Sequence, residues 1–231
     1  MKHKYQAIIK NNYTEKIAFL ARTINFLEDI LEDAECEEVL IDSHELENYT
    51  VVVDGIKCRY DLLESINVFS EKHNVSATLG RGDTSLRTLY EEIIDYYRET
   101  LHYKMKEYAT KTIATHHEYY LGILFNGKAF LIEGEEDKVL LPRIPQCLSA
   151  HTHPSNIPIP SKQDLKTITQ LFTDRGIGHI IETIGASLAI YRVAPITIDD
   201  LEVFKQLENT HDIIKALNNL TKKTPIRLRY I

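Results

Sequence analysis

No run of about 18 apolar residues occurs in this chain, so it offers no candidate for a membrane-spanning helix, and no membrane partner is expected. The opening residues Met-Lys-His-Lys-Tyr lack the apolar region of a secretory signal. Cysteine is scarce. Cys36, Cys58 and Cys147 are the whole set, they show no metal-ligand spacing, and three thiols cannot all pair. The expected setting is therefore a reducing cytoplasm, with Cys147 as a core or loop thiol.

An excess of positive charge is also missing. The net charge is −7, and the imbalance is confined to residues 1–110, which carry 13 Lys and Arg against 21 Asp and Glu. Residues 111–231 carry 14 and 13, so the second half is nearly neutral. An acidic surface repels a phosphate backbone, which argues against nucleic acid as the partner. Much of the acid lies in Glu28, Asp29, Glu32, Asp33, Glu35, Glu37 and Glu38. Such a run suits a solvated helix end, or alternatively a docking patch for a basic partner. What the chain does have is a globular composition, 43% hydrophobic and 26% charged, and 231 residues give room for one large domain or two small ones.

Against this background one stretch is chemically specific: His151-Thr152-His153-Pro154, followed by Ser161 and by Asp164 eleven residues after the second histidine. The i, i+2 spacing puts both imidazoles on one face of a strand, where they can reach one ion. Pro154 should end that strand, and the proline-rich 155–160 stretch turns the chain. Ser161 then reads as a helix cap with Asp164 in the first turn. A lone His-x-His is commonplace, and Ser-x-x-Asp by itself is usually only a capping box. Together they supply two histidines, a carboxylate and a hydroxyl, the donor set of a hydrolytic zinc site that keeps a coordination position open.

His-Thr-His-Pro, then Ser-x-x-Asp with seven residues between the second histidine and the serine, resembles the signature of the JAMM (MPN+) zinc metalloproteases. The resemblance implies Zn²⁺ held by His151, His153 and Asp164, with Ser161 stabilising the oxyanion. It also implies a general-base glutamate where a helix passes into the first strand of the domain. Glu118 fits that place, with Glu133 and Glu135 as alternatives in an acidic stretch, 133–137, that reads as a solvated hairpin tip. The implied activity is a peptidase or isopeptidase cutting after the C-terminal tail of a ubiquitin-like or sulfur-carrier-like modifier. The resemblance covers residues 100–195 and implies an α+β, MPN-like mixed sheet flanked by helices. Two other classes fit less of the sequence. One is a non-catalytic MPN scaffold. The other is a RadC-like protein linked to DNA repair, whose usual helix-hairpin-helix segment residues 1–84 do not show.

Hydrophobic periodicity predicts a smaller α/β domain over 1–84 and the metalloprotease domain over 85–231. A helix from Thr14 carries Ile17, Leu20, Ala21, Ile24, Leu27 and Leu31 on one stripe. Strands are expected at 39–41, 49–53, 56–60 and 75–79, with Asp54-Gly55 as a hairpin turn and a helix over 61–73. Gly80-Arg-Gly82-Asp83 is the clearest break and is taken as the boundary. A single helix over 85–114 would span roughly 45 Å, long enough to pair with another chain in a homo-oligomer. Beyond the zinc motif the pattern gives a helix to 173 ended by Gly176, strands over 179–184 and 187–193, and helices over 198–207 and 211–220. The basic tail 222–229 could add a strand or bind an acidic surface.

Overall fold

The computed structural model of the protein describes residues 6–136, 144–208 and 212–231. In chain order the first elements are β1 (Gln6–Ile9), α1 (Asn12–Asp33), β2 (Glu38–Ile41), α2 (Ser43–Glu47), β3 (Thr50–Ile56), α3 (Leu62–His73), β4 (Ser76–Leu79) and β5 (Thr84–Ser85). Next come α4 (Leu86–Thr100), α5 (His102–Thr115), β6 (His117–Leu124), β7 (Ala129–Glu136), β8 (Gln146–Thr152) and α6 (Lys162–Thr173). The last are β9 (Gly178–Glu182), β10 (Ser187–Arg192), α7 (Ile198–Glu208), α8 (Ile213–Lys223) and β11 (Ile226–Tyr230). The described residues thus form an α+β fold of eight helices and two mixed sheets, the class expected.

The chain divides into two compact units, one made of Met1–Ala18 with Ile94–Ile231, the other of Phe19–Ile93. The Gly80–Asp83 stretch lies inside the smaller unit, where Gly80 N–H donates to Val53 O and Asp83 N–H to Ile41 O. A Cβ on Gly82 would stand 2.6 Å from the Leu40 carbonyl carbon, so the glycine is needed for close passage over β2.

In the larger unit the sheet order is β1-β7-β6-β8-β9-β10-β11. Every neighbouring pair is antiparallel except β8 and β9, which are parallel and joined through α6. β8, β9 and β10 are buried at every position, as expected for strands covered on both faces. Leu165, Ile168, Leu171 and Phe172 of α6 pack with Ile181, Leu188 and Ile190 in one core that also takes in α7 and α8. The tail does add a strand, because β11 pairs with β10, and Arg229 binds Asp95 at 2.6 Å. Residue 211, the expected start of the last helix, lies outside the described residues, as do residues 1–5 and 137–143.

Four local expectations are corrected. The helix expected over 85–114 is two helices, broken at Leu101 with φ −108°. Tyr97 Oη and His102 Nδ1 both reach Glu182 Oε1, at 2.7 and 3.0 Å. Side chains five apart on one helix point about 140° away from each other, so an unbroken helix cannot aim both at one oxygen. The Asp54-Gly55 hairpin is absent. β3 runs straight through it to Ile56, and the chain turns at Lys57 with φ 50°. A Cβ on Gly55 would stand 2.5 Å from both Cys58 Sγ and Leu62, so contact rather than turning selects the glycine. Glu133 is not at a hairpin tip but within β7, and the turn is at Gly127, φ 81°. The left-handed residue that ends α6 is Arg175, φ 63°, rather than Gly176.

The smaller unit has the sheet order β4-β3-β2-β5. Leu20, Ala21, Ile24 and Leu27 of α1 are fully buried, as the stripe predicts. The acidic run is largely satisfied within the unit. Asp29 meets Lys72 and His73, both at 2.7 Å, Asp33 accepts from Ser65, Glu35 meets Arg59 and Glu37 meets Lys57. Glu28 accepts a hydrogen bond from Tyr90. Cys36 and Cys58 form a disulfide, and Cys147 is a buried thiol in the larger unit.

Candidate metal centre

The centre forms where β8 ends and α6 begins. His151 is the next-to-last residue of β8, and His153 follows it with its N–H still donating to Glu182 O of the neighbouring strand at 2.8 Å. This extra backbone bond carries the pairing one residue past the strand and so fixes His153. The proline-rich loop then brings the chain to Ser161, the N-cap of α6. Asp164 N–H donates to Ser161 Oγ at 3.1 Å, and Ser161 N–H donates to Asp164 Oδ2 at 2.7 Å, a complete capping box. The cap therefore also orients the Asp164 carboxylate, which faces the two imidazoles.

His151 Nε2 lies 3.3 Å from Asp164 Oδ1, and His153 Nε2 lies 3.2 Å from Asp164 Oδ2. One donor atom from each of the three residues falls within 4.8 Å of the others. Two ligands about 2.0–2.1 Å from a tetrahedral ion stand roughly 3.3–3.4 Å apart, so a set spread over as much as 4.8 Å would close in slightly around zinc. His151 Nε2 is buried and makes no hydrogen bond, although Asp164 Oδ1 is near it. A buried ring nitrogen without an aligned hydrogen bond, held beside a carboxylate, suits a ligand atom. The donor set of two imidazoles and one carboxylate also suits zinc's borderline softness.

Glu118 is brought to the same place. Its carboxylate lies 3.8 Å from His153 Nε2 and the side chain is 13% exposed. The β6–β7 register shifts beside Glu118: between the pairs His117–Glu136 and Tyr119–Glu133, β6 has one residue, Glu118, and β7 has two, so the extra residue is on β7, opposite Glu118. The backbone next to Glu118 is held in position by Tyr119 N–H, which donates to Thr152 Oγ1 at 2.8 Å, and by the Thr112–Thr152 hydroxyl pair at 2.6 Å. Glu133, the first alternative base, is engaged by His117 Nδ1 at 3.1 Å. For Glu135, the second, only the backbone is described, so its side chain falls outside the described residues. Cys147 is a core thiol donating to Ile123 O and is not among the converging donors.

The electrostatics follow from this crowding. Burial works against ionisation of Asp164, but the facing His151 and the hydrogen bonds from His153 and Ser161 N–H hold it well below the usual carboxylate range. Burial likewise disfavours a charged His151, yet Asp164 and then Glu118 and Glu182 raise it above its ordinary value.

Sequence reasoning missed the layer behind His151. His179 Nε2 lies 2.8 Å from His151 Nδ1, and Ser149 Oγ lies 2.6 Å from His179 Nδ1, all of them buried. Burial and the neighbouring His151 push His179 down to about 3, so it is an uncharged ring. No local signal marks it, because the contact depends on β8 and β9 running parallel with Ser149 opposite His179. A cavity of about 600 Å³ runs along α6, lined by Tyr120, Gln146, Gln163, Lys166, Thr167 and Gln170, and its lining includes none of Glu118, His151, His153, Ser161 and Asp164. Tyr120 pairs directly with His151 across β6 and β8. The chain matches no protein-family model, no curated protein and no solved structure.

Proposed function

We propose that the larger unit is a zinc-dependent peptidase of the JAMM type. In this reading it hydrolyses the peptide or isopeptide bond after the C-terminal tail of a ubiquitin-like or sulfur-carrier-like modifier. The observation that carries the proposal is the convergence of His151, His153 and Asp164 with a second carboxylate, Glu118, 3.8 Å from His153 Nε2. A purely structural metal site closes all four positions with protein ligands, whereas three ligands beside a spare carboxylate leave room for water and substrate. Zinc bound there supplies a Lewis acid that activates water near neutral pH and polarises a carbonyl.

The protein's own groups do the rest. Glu118 takes the proton of the attacking water and passes it to the leaving amine, which requires a carboxylate beside the ligand set and not within it. Ser161 Oγ serves as an acceptor in the cap, so its own proton remains to donate to the oxyanion. Asp164, held ionised by its neighbours, keeps its ligand charge at any pH at which the protein works. The modifier tail is the substrate that the JAMM resemblance favours. No helix among the described residues is long and apolar enough to cross a membrane. A cytoplasmic setting has to accommodate the Cys36–Cys58 bond, which reducing compartments disfavour.

The test is hydrolysis of modifier fusions carrying a Gly-Gly junction, with zinc content measured in the same samples. Glu118→Gln should keep its zinc and lose cleavage. Full activity in that variant removes Glu118 as the base. Cleavage that is insensitive to chelator removes the zinc mechanism.

A further inference from the structure

We infer that His179 is a positioning residue for the metal centre: its ring accepts the His151 Nδ1 proton and so leaves His151 Nε2 bare for the ion. The inference rests on the metal reading above, because the direction of the hydrogen-bond chain follows from it. A ligand nitrogen must be unprotonated. If His151 Nε2 binds the ion, the ring proton sits on Nδ1 and donates to His179 Nε2, 2.8 Å away. His179 Nε2 must then be bare, so its proton is on Nδ1 and donates to Ser149 Oγ, 2.6 Å away. Both ring hydrogens are assigned once the first is.

Three features make this a built arrangement. The rings of His151 and His179 are 4.9 Å apart between centroids, with 32° between planes. His179 is 1% exposed and Ser149 is 1% exposed, so no water competes for either nitrogen of the chain. Ser149 and His179 are direct partners in the parallel β8–β9 pair, so the backbone register sets their spacing. Ligating histidines ordinarily donate their second nitrogen to a carboxylate, a carbonyl or water. An uncharged imidazole fixes the same tautomer without adding negative charge behind the ligand. It leaves the charge of the centre to Asp164 and Glu118.

The experiment compares zinc affinity, by competition with a chelator, in the full-length wild type, His179→Phe, His179→Gln and Ser149→Ala. The melting temperature of each metal-free form is recorded alongside. Phenylalanine keeps the ring volume without an acceptor, and glutamine offers an amide oxygen near the place of Nε2. Zinc binding in His179→Phe should weaken about 10–100-fold, the usual cost of losing such an outer partner. His179→Gln should stay within several-fold of wild type, and Ser149→Ala should lose less than His179→Phe. Cobalt-substituted His179→Phe should show a shifted d–d spectrum, and His179→Gln should not.

Wild-type affinity in a folded His179→Phe overturns the inference, and so does an equal loss in the Phe and Gln variants, which would mean that only ring packing matters. If His179→Phe does not fold, His179→Gln decides: zinc affinity within several-fold of wild type supports the acceptor role, and a loss of about 10–100-fold overturns it. Wild type that takes up no zinc overturns the metal reading and this inference together. Failure of the variants alone leaves the metal reading standing.

Discussion

Two clusters of ionisable residues in this molecule look alike in composition and differ in what faces them. In the smaller unit Asp29, Asp33, Glu35 and Glu37 each meet a lysine, arginine, histidine or hydroxyl from within the unit. These are satisfied pairs, several of them on the surface, and they fasten the end of α1 to its surroundings. In the larger unit Asp164 and Glu118 instead meet imidazoles, and the buried His151 Nε2 has only an ion-pair contact with Asp164 and no aligned hydrogen bond. Charge that is neutralised locally holds a fold together. Donors that converge on one point and leave a buried atom without a partner mark a place where something else binds.

Breaking each cluster in turn should expose that difference. The largest effect is expected from Asp164→Ala, which removes a ligand: zinc content should fall to background and hydrolysis should vanish, while circular dichroism of the metal-free form stays native. Ser161→Ala comes next. Zinc should be retained, turnover should drop about 10²–10³-fold through the lost oxyanion donor, and chemical denaturation should show about 1 kcal/mol lost with the cap. In the smaller unit Asp29→Asn breaks the pairs with Lys72 and the nearly buried His73, and should cost about 1–2 kcal/mol of stability with zinc and activity unchanged. Glu37→Gln breaks a pair whose side chains are 63% and 72% exposed, so urea midpoints should move by less than about 0.5 kcal/mol equivalent.

A pH comparison sharpens the contrast in the metal-free protein. His151 is raised above its ordinary 6.5, so its contribution to stability is fully present below 6.5 and is lost as pH rises through the raised value. Asp164 is lowered below 3.8, so its contribution is present above 3.8 and is lost only in stronger acid. Both act together between those limits. Urea unfolding of metal-free wild type and Asp164→Ala should therefore differ more at pH 5.5 than at pH 8. An equal gap at both values would mean that the pair is not coupled as described.

The parts of the site that were legible in the sequence are those whose geometry is local. The spacing of His151 and His153, the capping box of Ser161 and Asp164, and the strand-to-helix passage all lie within fourteen consecutive residues. Glu118 was legible as a glutamate at a strand mouth, but no residue type announces the register shift opposite it, where β7 carries the extra residue. His179 was invisible, because a parallel partner is placed by a crossover through α6 and not by neighbours in sequence. The fold shows the same division. The α1 stripe and the α6 cap follow from periodicity and capping. The break at Leu101, the straight passage of β3 through Asp54-Gly55 and the pairing of β1 with β7 depend on contacts made far along the chain. Gly55 is the instructive case: it reads as a turn former, yet it is a glycine because the Cys58 sulfur and Leu62 leave no space for a side chain.

The central claim is tested most directly by elemental analysis of metal content in wild type and His153→Ala, purified side by side without chelator. The account predicts about one zinc per chain in the wild type and background levels in the variant. Wild type that holds no zinc and takes up none when it is added, or a variant that retains as much as wild type, would contradict it.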